Sequence, residues 1–189
     1  MPPAVADAAL VSDAAALNRF LAGVEKRAFR MARFSVRDTD EAMDIVQDSM
    51  LTLARRYADR PEAEWAPLFY RILNNRITDW HRRTQVKRRL FGFFARGPDD
   101  DAADPLALVA DGPGVEPEHV TRMQAAAARL DAAVETLPER QRQALLLRVW
   151  EGLDVAETAR AMGCSEGSVK THLSRAVHRL REELEDDWP

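Results

Sequence analysis

The 189-residue chain has a single cysteine, Cys164. One thiol excludes an internal disulfide and fits a reducing, cytoplasmic setting. It is read as a small buried side chain rather than a nucleophile. No run of about 18 apolar residues occurs, so no membrane-inserted helix is expected. Met1 to Leu10 lacks the basic start and long apolar core of an export signal. Alternating strand patterns and fixed-period repeats are missing too. Paired carboxylates, nucleophile–base sets, glycine-rich phosphate loops and metal-ligand spacings do not stand out, so neither an enzyme nor a cofactor is expected. His172 and His178 have no acid or cysteine partner at ligand spacing, and no metal is assigned to them.

Net basicity is also missing. The formal charge is −4 and the pI about 5.6, which argues against an indiscriminate nucleic-acid coat. The distribution says more. His81 to Arg96 carries Arg82, Arg83, Lys87, Arg88, Arg89 and Arg96 without one acid. Asp99, Asp100, Asp101, Asp104, Asp111, Glu116 and Glu118 follow, and the tail is acidic again from Glu182. Local basic surfaces on an acidic chain point to selective contact with DNA.

What is present is helical periodicity. Leu17, Phe20, Leu21, Val24, Ala28, Met31 and Ala32 place a first helix over about Asp13 to Phe34. A second starts near Thr39 or Asp40 and ends near Tyr57, with Met43, Val46, Met50, Leu53 and Tyr57 as its apolar stripe. A loop, Ala58 to Glu64, contains Pro61. A third helix runs from about Trp65 into the arginine cluster, with Pro67 in its first turn. Gly92 to Pro117 is broken by Gly97-Pro98, Gly112-Pro113-Gly114 and Pro117 among aspartates, which reads as a flexible linker. Helices are then expected over Pro117–Thr136, from Pro138 to a cap at Gly152, over Val155–Met162, and from the N-cap Ser165 to about Glu185. The expected fold is all-α: two small helical domains, 13–91 and 118–189, joined by an acidic linker, 92–117.

Val155 to Leu180 has two helices around a short glycine turn, the helix-turn-helix pattern. On the last helix, Val169, Leu173, Ala176, Val177 and Leu180 share one face, and Thr171, Ser174, Arg175 and His178 lie opposite. In such a motif the second helix enters the major groove with its N-terminal residues at base edges. Ser168, Lys170, Thr171, Ser174, Arg175 and Arg179 are the candidates, the cations suited to guanine or phosphate and the hydroxyls to short polar contacts.

Leu137 to Leu180, beginning LPERQRQALLLRVWEGLDVAETARAMG, resembles the C-terminal promoter-binding domain of bacterial sigma factors. That resemblance implies recognition of a minus-thirty-five element and docking on the flap of the polymerase beta subunit. LuxR-type regulators carry a similar ending, so the first half must decide. There EAMDIVQDSM is similar to the acidic sigma helix that binds the beta-prime clamp helices, with Asp44, Gln47 and Asp48 matching by position. Together with Leu51 they share a surface off the apolar stripe, and carboxylates beside an amide suit a partner rich in arginine. LFYRILNNRITDWHRR, Leu68 to Arg83, resembles the helix that melts and reads the minus-ten element. The resemblance assigns Tyr70, Arg71, Asn75, Asp79 and Arg82 to it.

The wheel of that third helix sets Phe69, Ile72, Leu73, Ile77 and Trp80 on an apolar stripe. Arg71, Asn74, Asn75, Thr78 and Arg82 face away, a face able to hold a phosphate backbone and read base edges. Arg83 joins the candidates. Leu68 stands where the family commonly has Trp, and Trp65, three residues earlier, is a candidate for the stacking role or for the core. Order and length point to the extracytoplasmic-function group. The expected partners are core RNA polymerase and promoter DNA, with an anti-sigma protein left open. A LuxR-like regulator is the alternative; it would need a sensing domain with strands. An adaptor that binds polymerase without reading DNA is another, and Ala at Arg175 and Arg82 would leave it active.

Overall fold

The computed structural model describes residues 4–91 and 117–184, with side-chain surroundings over 14–86 and 124–184. The expected linker, 92–117, lies almost wholly outside the described residues. Among those described there are seven α-helices and no strand: α1 (Ala4–Val36), α2 (Thr39–Arg56), α3 (Glu62–Phe91), α4 (Pro117–Thr136), α5 (Glu139–Leu145), α6 (Val155–Met162) and α7 (Glu166–Glu183). A π-helical turn, Leu146–Trp150, continues α5.

Short polar signals set the boundaries. Arg37, in left-handed conformation at φ 57°, ends α1. The cap of α2 is Asp38, one residue before the expected pair, and its carboxylate accepts from the Glu41 N–H at 2.9 Å. The helix α3 starts at Glu62 instead of Trp65, because Pro61 already turns the chain and its carbonyl accepts from the Glu64 N–H. The loop before α3 is thus shorter than expected, Trp65 is helical, and Pro67 falls in the second turn. Asp154 caps α6 through a complete capping box with Glu157.

The helices α1, α2 and α3 pack together around Val24, Ala28, Met31, Ile45, Val46, Leu53, Phe69, Leu73 and Ile77. In α2 the buried stripe is Ala42, Ile45, Val46, Ser49 and Leu53. This corrects the expected stripe by one position, since Met43 is 47% exposed. Ser49 is tolerated inside because its hydroxyl donates to the Ile45 carbonyl at 2.7 Å. In the second half Val134, Leu146, Leu147, Met162, Val169, Ala176 and Leu180 are buried, and α7 packs on α5 and α6. Each large side chain so buried stabilises the fold by about 1.5–3 kcal/mol.

The two halves pack against each other, with α3 lying along α6. Trp150 rests near Phe34, ring centroids 5.6 Å apart, and Arg27 Nε reaches Glu151 at 3.0 Å. Arg37 donates to the Glu135 carbonyl at 3.3 Å, and the Thr78 hydroxyl donates to Glu139 at 3.4 Å.

Candidate nucleic-acid and polymerase interfaces

The turn into α7 is built from three local devices. Gly163 takes φ 63°, ψ 41°, a left-handed conformation that glycine adopts without a Cβ penalty. The Cys164 N–H then bonds back to the Ala159 carbonyl at 3.1 Å. Ser165 caps α7 by accepting from the Ser168 N–H at 3.2 Å. Val169, Ala176 and Leu180 anchor α7 inward. Lys170, Thr171, Ser174, Arg175 and Arg179 are exposed on the other side. Among the described residues Lys170 and Arg175 meet no carboxylate, which leaves both cations open to phosphate or a base edge. Ser168 differs: it is half-buried, and its hydroxyl lies 2.9 Å from that of Ser165, so it serves the cap. The Thr171 hydroxyl donates to the Gly167 carbonyl at 3.0 Å and keeps its lone pairs outward.

The minus-ten candidates on α3 split into two groups. Arg71, Asn75, Asp79, Arg82 and Arg83 are exposed and recur at helical spacing along one side. Asp79 is bracketed by Arg82 at 3.8 Å, while Arg83 Nε donates to its carbonyl at 3.4 Å. Trp65, Tyr70 and Asn74 are buried. Trp65 packs 5.8 Å from Phe20, which gives it a core position. Asn74 was expected on the outward face. Instead Tyr70, Asn74 and Thr78, four residues apart, form the stripe of α3 that meets the second half. Both amide atoms of Asn74 are buried without a hydrogen-bond partner, whereas the Tyr70 hydroxyl sits against the Glu151 carboxylate. Burial raises the Tyr70 hydroxyl far above the usual phenol range, and the nearby Glu151 carboxylate raises it further.

On α2, Asp44, Gln47, Asp48 and Leu51 are all exposed, on the side away from the buried stripe. Met43, one turn before Gln47, is exposed with Leu51, so the acidic face carries two apolar side chains as well. Asp48 is held in place: Arg76 of α3 bridges it at 2.7 Å and also donates to the Thr52 hydroxyl at 3.0 Å. Sequence reading placed Met43 in the apolar stripe and did not single out Arg76. The i, i+4, i+8 spacing of Met43, Gln47 and Leu51 was a signal for the first; nothing local ties Arg76 to α2. Among the described residues no group of three or more His, Cys, Asp or Glu is placed to hold a metal ion. Nor is any helix there long and apolar enough to cross a membrane.

Residues 127–180 match the family model for sigma-70 region 4. Over the longer chain, an RNA polymerase sigma-E factor of Streptomyces coelicolor is 31% identical across 156 residues, 82% of this chain and 78% of that protein. The extracytoplasmic-function sigma factor SigF of Caulobacter vibrioides is 32% identical over 181 residues, 93% and 89% of the two chains. The corresponding factor SigD of Mycobacterium tuberculosis is 30% identical over 190 residues, 96% of this chain and 82% of its own. In fold, the chain is similar to the sigma factor RpoE of Bartonella quintana, solved with the anti-sigma factor NepR, at TM-score 0.59 and 21% identity, covering 90% of this chain and 98% of that one. It is also similar to CnrH, solved with the cytosolic domain of CnrY, at TM-score 0.57 and 19% identity, covering 95% and 98%.

Proposed function

The chain belongs to the extracytoplasmic-function group of RNA polymerase sigma factors, and we propose that its two halves divide promoter recognition between the surfaces just described. As a sigma factor it binds core RNA polymerase, directs it to promoters and helps open them, a task of recognition rather than catalysis. The relatives match across the first half as well as the second, which decides against a LuxR-like regulator.

In this reading α2 docks on the beta-prime clamp helices through Asp44, Gln47, Asp48 and Leu51, with Met43 adding apolar contact. Lys170, Thr171, Ser174, Arg175 and Arg179 of α7 enter the major groove of the minus-thirty-five element, oriented by the Ser165–Ser168 cap, and the second half also touches the beta flap. Arg71, Asn75, Asp79, Arg82 and Arg83 line the exposed side of α3 against the opened minus-ten strand. Tyr70 and Asn74 join them once the second half moves away, and Trp65 supports the helix from the core.

Two elements about two helical turns apart lie roughly 70 Å from one another, a span that α3 and α7 cannot bridge while α3 lies along α6. Core polymerase is therefore the ruler that separates the halves. It also sets the cytoplasm as the place of action, and an anti-sigma protein that holds the halves together is a partner we propose on the same footing. The observation that carries the reading is the pairing of an open basic helix-turn-helix face at one end with an open arginine–amide face at the other. Run-off transcription with core polymerase on a genomic fragment library tests it. Factor-dependent transcripts are expected from the native chain and are lost with Asp44→Arg, while Arg175→Ala shifts promoter choice. A chain that never associates with core polymerase would end the reading.

A further inference from the structure

Where the halves meet, two consecutive side chains of the second half, Trp150 and Glu151, pack against α1. The Trp150 ring lies 5.1 Å from the Arg30 guanidinium carbon and 5.6 Å from the Phe34 ring. Glu151, the next residue, keeps only 4% of its side chain exposed and takes Arg27 Nε at 3.0 Å. Its carboxylate also lies beside the Tyr70 hydroxyl. The π-helical turn delivers both. The Glu151 N–H bonds to the Leu146 carbonyl five residues back, at 3.1 Å, and this wider turn turns the pair toward α1. A flat bicyclic ring held by a cation and a second, tilted aromatic ring, followed by an anion on another arginine, resembles the way single-stranded nucleic acid is bound.

The receiving surface sits on one side of α1, where Arg27, Arg30 and Phe34 follow each other at three- and four-residue steps, with Tyr70 of α3 beside them. The packing against it is poorly satisfied. Both amide atoms of Asn74 are buried without partners, and such groups are costly to leave unpaired. An orphaned amide at 5% exposure calls for an occupant that offers donors and acceptors together, as the edge of a base does.

We propose that Arg27, Arg30, Phe34 and Tyr70 form a binding site for one nucleotide of a single DNA strand. A purine base takes the place of Trp150, and its phosphate that of Glu151. In the closed molecule the second half fills this site; when the halves part, α1 joins α3 in holding the opened strand. The proposal rests on the reading of the chain as a promoter-opening factor.

The test is fluorescence anisotropy of labelled dodecamers of deoxyadenosine and of thymidine with the full chain and no polymerase. Trp150→Ala/Glu151→Gln vacates the site and is expected to bind the adenine strand about tenfold more tightly than the native chain, with a smaller gain on thymine. Adding Arg30→Ala removes that gain. Should loss of the indole loosen the second half, as far-UV circular dichroism would reveal, Glu151→Lys decides: it keeps Trp150 and repels Arg27. Helical variants that bind adenine strands no better than the native chain overturn the site, as does a gain that survives Arg30→Ala. Run-off transcription on the same proteins separates the two readings. Transcripts without a gain in strand binding sink the nucleotide site alone; absence of any factor-dependent transcript sinks the sigma reading.

Discussion

Gly163 and Gly167 stand four residues apart around the turn that enters α7, and alanine at the two positions acts in opposite directions. A Cβ at Gly163 would meet nothing within 4 Å, so no neighbour resists it. The whole cost is conformational: φ is 63°, where a side chain crowds its own carbonyl by about 1–2 kcal/mol. At Gly167 the backbone is ordinary helix and a Cβ would lie 3.9 Å from Ser165 Oγ, a normal contact. Alanine there gains about 0.5 kcal/mol by restricting the unfolded chain. In a chain of this size 1 kcal/mol moves the melting temperature by about 2–4 °C. Thermal melts followed at 222 nm should therefore show Gly163→Ala lower by about 4 °C and Gly167→Ala higher by about 1–2 °C. Gly163→Asn falls between native and alanine, because Asn tolerates the left-handed region. Both alanines shifting the same way, or Asn proving worse than Ala at 163, would refute the reasoning.

Asp154→Ala removes one arm of the capping box and should cost about 1 kcal/mol in urea titration, while Asp154→Asn restores most of it. Arg175→Ala should weaken minus-thirty-five binding by holoenzyme by about 1–3 kcal/mol and relax the sequence preference at one position; Lys170→Ala should lower the slope of log K against log salt by about 1 in filter-binding assays. Because the folded chain holds the Tyr70 proton more tightly than the unfolded chain does, this contribution to stability is complete below pH ~10 and declines above it as the unfolded state ionises. In a Tyr57→Phe background, absorbance at 295 nm should show no phenolate at pH ~11 until the chain unfolds. Arg76→Ala should change stability by less than about 1 kcal/mol, as expected of an exposed pair, yet weaken assembly with core polymerase in pull-down titrations.

The second half was legible because its signals are local. Pro138, Gly163 and Ser165 each act within a few residues of themselves, and α5 and α7 begin where those residues place them. The first half was legible in outline and misread where burial depends on distant partners. Hydrophobicity favoured Met43 over Ser49, but Ser49 can satisfy its hydroxyl on Ile45 while Met43 faces outward. Asn74 reads as outward on an isolated wheel; only packing against the second half puts it inside. The contact between Arg27 and Glu151 joins residues 124 apart, and no periodicity within either helix announces it.

The Arg76 guanidinium sits astride two allegiances. Its helix carries Asn75 and Asp79 on the face we propose for DNA, while its own charge is spent on Asp48 and Thr52 of the face we propose for core enzyme. Any polymerase arginine that claims Asp48 must compete with it, and whatever it gives up slackens the tie between α2 and α3. Linkage is reciprocal: a strand that settles α3 into a new position must change, by the same factor, the hold of core enzyme on Asp48. On that proposal promoter engagement and enzyme retention are linked, and Arg76→Ala should uncouple them.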